Sequence, residues 1–180
     1  ESTDTVTGGA SVIGTITDGN AGALASIGTL TVTSAKAAAT TGVMTLDALG
    51  TVVISGGTTA TVANIDVSNA TNDSQAGTIT VTAGTNVLAD DIIVDKVGAI
   101  SIKAGGTLAV GNITAAQTTA TSVTLDAVTS VNAQTANDVI SNSKGDLTLT
   151  VKGAATWNAG NDLDVTVGSA TVTDADLVVD

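Results

Sequence analysis

Apolar and polar residues alternate along this chain in short runs, and each run opens on a glycine. Gly28-Thr-Leu-Thr-Val-Thr-Ser34, Gly50-Thr-Val-Val-Ile-Ser55, Gly77-Thr-Ile-Thr-Val-Thr82, Gly98-Ala-Ile-Ser-Ile-Lys103 and Gly145-Asp-Leu-Thr-Leu-Thr150 share this form. Their third and fifth positions are apolar: Leu30/Val32, Val52/Ile54, Ile79/Val81, Ile100/Ile102 and Leu147/Leu149. Strand side chains point alternately to opposite faces, so the pattern predicts a buried side carrying these pairs and an outer side of Thr, Ser and Lys. The leading glycine reads as the turn before each strand. The runs recur at 22, 27 and 21 residues, then at a double interval of 47, which is solenoid spacing.

A weaker set lies between them: Val43–Leu49, Asn64–Val67, Asp91–Asp95, Gly111–Thr114 and Ser122–Val128. Asp47, Asp66, Asp95 and Asp126, near the ends of these segments, read as corners. The expected fold is all-β, a parallel β-helix (β-solenoid) with irregular rungs of about 20–27 residues, each of two or three short strands. Ala35–Ala39 is too short for a helix and reads as a loop. Ala70–Ala76 reads as an insertion at a corner. Register is ambiguous over Val131–Ser143. The chain divides into an N-terminal strand segment (1–27), the solenoid repeats (28–153) and a C-terminal strand segment (154–180). The rival reading is a pair of antiparallel β-sandwich domains with a boundary near Gly153, where the rung pattern fades. Small side chains favour the narrow solenoid, because a sandwich of this length usually buries aromatic rings.

Composition narrows the chemistry. The 180 residues include 17 acidic groups against 5 lysines, for a net charge of −12, and no Cys, His, Pro, Arg, Tyr or Phe. Zinc, haem and iron–sulfur sites, thiol nucleophiles and histidine bases are therefore excluded. Nucleic acid is not an expected partner, since phosphate binding needs cations. Mean hydropathy is +0.42, yet no apolar run reaches the ~18 residues of a membrane helix, so membrane insertion is not expected. Abundant β-branched residues and a charged fraction of 12% argue against disorder. The absence of Cys fits a reducing cytosol or an exported chain without disulfides. The acidic, Thr/Ala/Gly-rich, aromatic-poor composition tilts the expectation towards a secreted or cell-surface location. A chain that begins at Glu1 fits either a processed product or a fragment.

Ser143–Thr150 and Gly98–Ala109 resemble repeats of filamentous-haemagglutinin-type adhesins. The Thr/Ala/Gly/Val bias is similar to that of bacterial surface-layer proteins and flagellin variable domains. The resemblance covers Gly28–Gly153 and is one of repeat style. It implies a secreted structural or adhesive role at the cell surface and carries no catalytic residues to transfer.

Candidate sites are few. Asn158-Ala-Gly-Asn-Asp-Leu-Asp164 resembles half of an RTX calcium nonapeptide, which makes Asn158, Asp162 and Asp164 candidate calcium ligands. Asp90 and Asp91 form a second candidate pair, and Asp174 and Asp176 a third. Calcium takes ~6–8 oxygens, and a polar turn before Leu163–Val167 accounts for the same residues. Thr29/Thr31/Thr33 and Thr78/Thr80/Thr82 have the spacing of an ice-binding array. Thr51/Val53/Ser55 and Ala99/Ser101/Lys103 interrupt it, and β-propensity explains the threonines. Trp157 reads as a cover for an end or seam of the core, or a subunit contact. Asp pairs can cleave glycosides, but the chain has almost none of the basic and aromatic groups that hold a sugar, so it is not expected to be an enzyme. The strand-like tails Asp4–Ile13 and Ala170–Val179 lack proline caps, so either is expected to add to a neighbouring copy. Folding back on its own domain, or capping by flanking sequence, is the alternative. The expected function is a secreted structural protein of a surface layer, filament or adhesin whose partner is itself. The alternative is an extracellular module that binds ice or surface glycans.

Overall fold

The computed structural model describes residues 5–6, 9–17, 27–46, 49–67, 77–94, 97–115, 122–134, 138–151 and 163–173. All their regular structure is β, and the strands follow one another in threes. The first turn holds β1 (Thr5–Val6), β2 (Ser11–Ile13) and β3 (Ile16–Thr17). Four turns with three separate strands follow: β4 (Ile27–Ser34), β5 (Ala39–Thr41) and β6 (Met44–Thr45); β7 (Leu49–Gly56), β8 (Ala60–Val62) and β9 (Ile65–Val67); β10 (Gly77–Ala83), β11 (Val87–Ala89) and β12 (Ile92–Val94); β13 (Val97–Ala104), β14 (Thr107–Val110) and β15 (Ile113–Ala115). Then come β16 (Ser122–Ala127), β17 (Ser130–Ala133), β18 (Asp138–Val151) and β19 (Leu163–Thr173).

Each strand pairs in parallel with its equivalent one turn away, which makes the molecule a β-solenoid with three faces. The first face stacks β1, β4, β7, β10, β13 and β16, the second β2 to β17, and the third β3 to β15. β18 runs through the corner between the third and first faces: Ile140 pairs with Ile113, and Leu147 with Val123. β19 pairs along β18 on both sides of that corner. The sheets thus extend beyond 28–153, with β1 to β3 at one end and β19 at the other.

Side-chain alternation builds the core. On the first face Leu30, Val52, Ile79, Ile100 and Val123 form one inward row, and Val32, Ile54, Val81, Ile102 and Leu125 the next. All are buried, as the alternation predicts, and each is worth about 1.5–3 kcal/mol on burial. Leu147 and Leu149 occupy register positions beside Val123 and Leu125. The third face contributes Met44, Ile65, Ile92 and Ile113. At the corner after the first face the row falls to Ser34, Gly56, Ala83, Ala104 and Ala127, because the chain turns tightly there and leaves no room for larger groups.

Several details of the sequence reading change. Ser122–Val128 belongs to the first face, as β16, and fills the double interval between Gly98 and Gly145. Its turn opens without a glycine, which hid it. The opening glycines lie inside strands or at their first residue; Gly50 is within β7 and Gly77 begins β10. Asp66 and Asp126 occupy partly exposed outward strand positions instead of corners. Asp47, Asp95 and Ala70–Ala76 lie outside the described residues. The second face leaves no clear pattern in the sequence, although the Ala35–Ala39 loop does end as β5 begins. Most of its strands are only three residues long, too short for alternation to register against Thr-rich surroundings. The uneven rung length comes mainly from the corner after the third face: Val67 to Gly77 is long, whereas Val94 to Val97 is short.

Candidate functional site

Asp90 and Asp91 sit at the corner between the second and third faces, where the chain bends between β11 and β12. Backbone bonds hold the bend on both sides: Asp90 N–H donates to the Val62 carbonyl at 2.8 Å, and the Asp91 carbonyl accepts from Ile65 N–H at 2.9 Å. The Asp91 carboxylate faces the next turn. Its Oδ1 accepts from the Asn112 backbone N–H at 2.8 Å and from Asn112 Nδ2 at 2.9 Å. The carboxylate thus bridges two rungs by accepting from a backbone and a side-chain donor of the next corner. Gly111 permits this approach, because a Cβ there would lie 2.7 Å from Asp91 Oδ1 and 3.0 Å from the Asp90 carbonyl carbon. Asn112 was not singled out in the sequence; its signal is the 21-residue spacing from Asp91, one turn of the solenoid. Asn86 repeats the device at the preceding corner, accepting from Thr107 N–H at 3.1 Å, also across 21 residues.

The remaining calcium candidates do not join this corner in the described residues. Asn158, Asp162, Asp174, Asp176 and Trp157 lie outside them. Asp164 is within β19, where its backbone pairs with Val139. Among the described residues no three carboxylates come together.

The second feature is the outer side of the first face. Register aligns its residues in columns: Thr29, Thr51, Thr78, Ala99 and Ser122; Thr31, Val53, Thr80, Ser101 and Thr124; Thr33, Ser55, Thr82, Lys103 and Asp126. Hydroxyls within a column bond along the axis, Thr82 Oγ1 donating to Ser55 Oγ at 3.1 Å and Thr78 Oγ1 to Thr51 Oγ1 at 3.5 Å. Lys103 Nζ lies 2.9 Å from Asp126 Oδ2 in the third column. The sequence showed the threonine runs, and the structure places them beside one another with Val53, Ala99 and Lys103 among them.

No protein-family model matches the chain, and neither the curated proteins nor the solved structures contain a match to it.

Proposed function

We propose that the chain is a structural segment of a secreted surface layer, filament or adhesin that assembles with copies of itself and performs no catalysis. The observation that carries this reading is the backbone ladder through both inner corners. Gly57 N–H donates to the Ser34 carbonyl and Gly84 N–H to the Gly56 carbonyl at the first corner; Ala63, Asp90 and Gly111 do the same at the second. Strands and these two corners alike are therefore fastened along the axis, and each turn advances the rod by only ~4.8 Å. Such a stack suits a load-bearing spacer whose contacts are all with its neighbouring turns. Imaging of the purified protein by negative-stain electron microscopy tests the reading. Sheets, filaments or regular rods are expected; a dispersed monomer at every concentration overturns it.

Calcium enters the proposal as a counter-ion. A net charge of −12 makes copies repel, and divalent ions at acidic corners such as Asp90–Asp91 relieve that repulsion. Chelation with EGTA is expected to loosen the assembly and lower Tm relative to millimolar calcium. Equal behaviour in both removes calcium from the proposal.

A second reading, binding of ice or surface glycans, draws on the aligned hydroxyl columns. Thermal hysteresis or retention on a glycan array would favour it over the structural role.

A further inference from the structure

The outer side of the first face carries little net charge on this acidic molecule. Across the outward rows of β4, β7, β10, β13 and β16 the only charged side chains are Lys103 and Asp126, and they neutralise each other at 2.9 Å. Other rows present short hydroxyl or apolar groups, typified by the half-buried column Thr31, Val53, Thr80, Ser101 and Thr124. We propose that two copies of the chain pair face to face across this side, an inference that rests on the self-assembling role proposed above.

Three observations select a second copy as the occupant. The first is area. Five strand levels, β4 to β16, at ~4.8 Å each and about six residues at ~3.3 Å give roughly 480 Å² per copy. That is below the ~800 Å² per partner of a standard stable interface, so the pair is a weak, concentration-dependent one. The second face is also uncharged in its outward positions at Thr40, Thr61, Leu88 and Ala109. Its three- to four-residue strands over six levels offer only ~300 Å², smaller still. The third face carries Asp66.

The second observation is charge. Two chains of −12 approach most readily where each is locally neutral. The third is self-complementarity. A hydroxyl both donates and accepts, so identical hydroxyl faces can satisfy each other in a two-fold, isologous contact. Both faces also share one period along and across the strands, so a match at one rung is repeated at the others. Sheets in such a contact sit ~10 Å apart, a distance that Thr, Ser and Val fill.

The chain has no cysteine, so a single introduced thiol reports one position. Thr80→Cys on the first face and Thr61→Cys on the second are compared for reaction with a polyethylene-glycol maleimide, in dilute and concentrated reduced samples. Sedimentation velocity is run in parallel. A concentration-dependent dimer is expected, with the Thr80→Cys thiol slowed at least tenfold in concentrated samples and the Thr61→Cys thiol unchanged. Thr80→Glu is expected to weaken the dimer at least tenfold with an unaltered circular dichroism spectrum. If that variant does not fold, the thiol comparison decides. A chain that stays monomeric at all concentrations overturns the pairing. So does equal protection of both thiols while larger assemblies form, which leaves the structural role standing and moves its contacts elsewhere. Thermal hysteresis lost in Thr80→Glu without any dimer would assign the face to ice and also overturns it.

Discussion

Thr41 shows how closely the interior is committed to apolar packing. Its side chain is buried in the second face, between the rows of Ile13 and Val62, and its Oγ1 has no hydrogen-bond partner. The other buried hydroxyls among the described residues are engaged: Ser11 Oγ donates to the Thr33 carbonyl at 2.8 Å and Ser34 Oγ to the Gly9 carbonyl at 2.7 Å. An unpaired buried hydroxyl costs about 1–3 kcal/mol. Thr41→Val keeps the shape and removes that cost, so it is expected to stabilise the fold by about 1 kcal/mol, read as a higher denaturation midpoint at constant m. Asp91 is the opposite case. Asp91→Ala removes both hydrogen bonds to Asn112 and is expected to cost about 2 kcal/mol, whereas Asp91→Asn keeps an oxygen at Oδ1 and should recover much of it. Equal losses in the two variants would mean that the carboxylate charge, not the hydrogen bonds, holds the corner. The Lys103–Asp126 pair is largely exposed on the lysine side, and its coupling in a double-mutant cycle is expected to stay under ~1 kcal/mol.

At the scale of elements the corners are as constrained as the strands. Gly57, Gly84 and Gly105 stack at the first corner, and a Cβ on Gly84 or Gly105 would collide with the carbonyl oxygen of the glycine one turn before it. Those are backbone atoms of a hydrogen-bonded ladder, so they cannot yield cheaply. Gly84→Ala is therefore expected to destabilise by more than the few tenths of a kcal/mol of an ordinary surface change. Gly9→Ala, with open space at its Cβ, is expected to be nearly neutral. Comparing the two denaturation midpoints checks this. These corner glycines carry no distinctive sequence signal, because 20 glycines are scattered through the chain. The long first-face strands were legible, since two inward apolar residues flanked by Thr identify a strand without outside help. The short second-face strands were not: Ala60-Thr-Val62 and Val87-Leu-Ala89 have two inward residues and one outward, a pattern that chance supplies often. Of the candidate site, the acidic pair could be read but its role could not. The partner of Asp91 is 21 residues away and becomes a neighbour only once the register is known.

For the whole molecule, the row structure means that one turn is nearly interchangeable with another. Deleting residues 78–98 joins Gly77 to Ala99 and lays β13 directly against β7. Val52 then meets Ile100 and Ile54 meets Ile102 on the first face, while Ile65 meets Ile113 on the third; all six are now buried in equivalent rows. Gly105 falls beside Gly57, preserving the close corner. Local losses follow: the Asp91–Asn112 and Asn86–Thr107 bridges disappear, and Ala60 must pack against Leu108 without Val87 between them. In a one-dimensional stack, stability is a sum of turn and neighbour terms. The shortened chain is therefore expected to remain folded and cooperative, with lower stability and an m-value reduced by about one turn's share of buried surface. Deleting residues 78–87 instead removes the first-face strand but keeps most of the second- and third-face strands, so the turn cannot close in register, and loss of the β-sheet circular dichroism signal is expected. If the full-turn deletion unfolds the chain as completely as the partial one, the turns are not equivalent units, and stability depends on a particular turn.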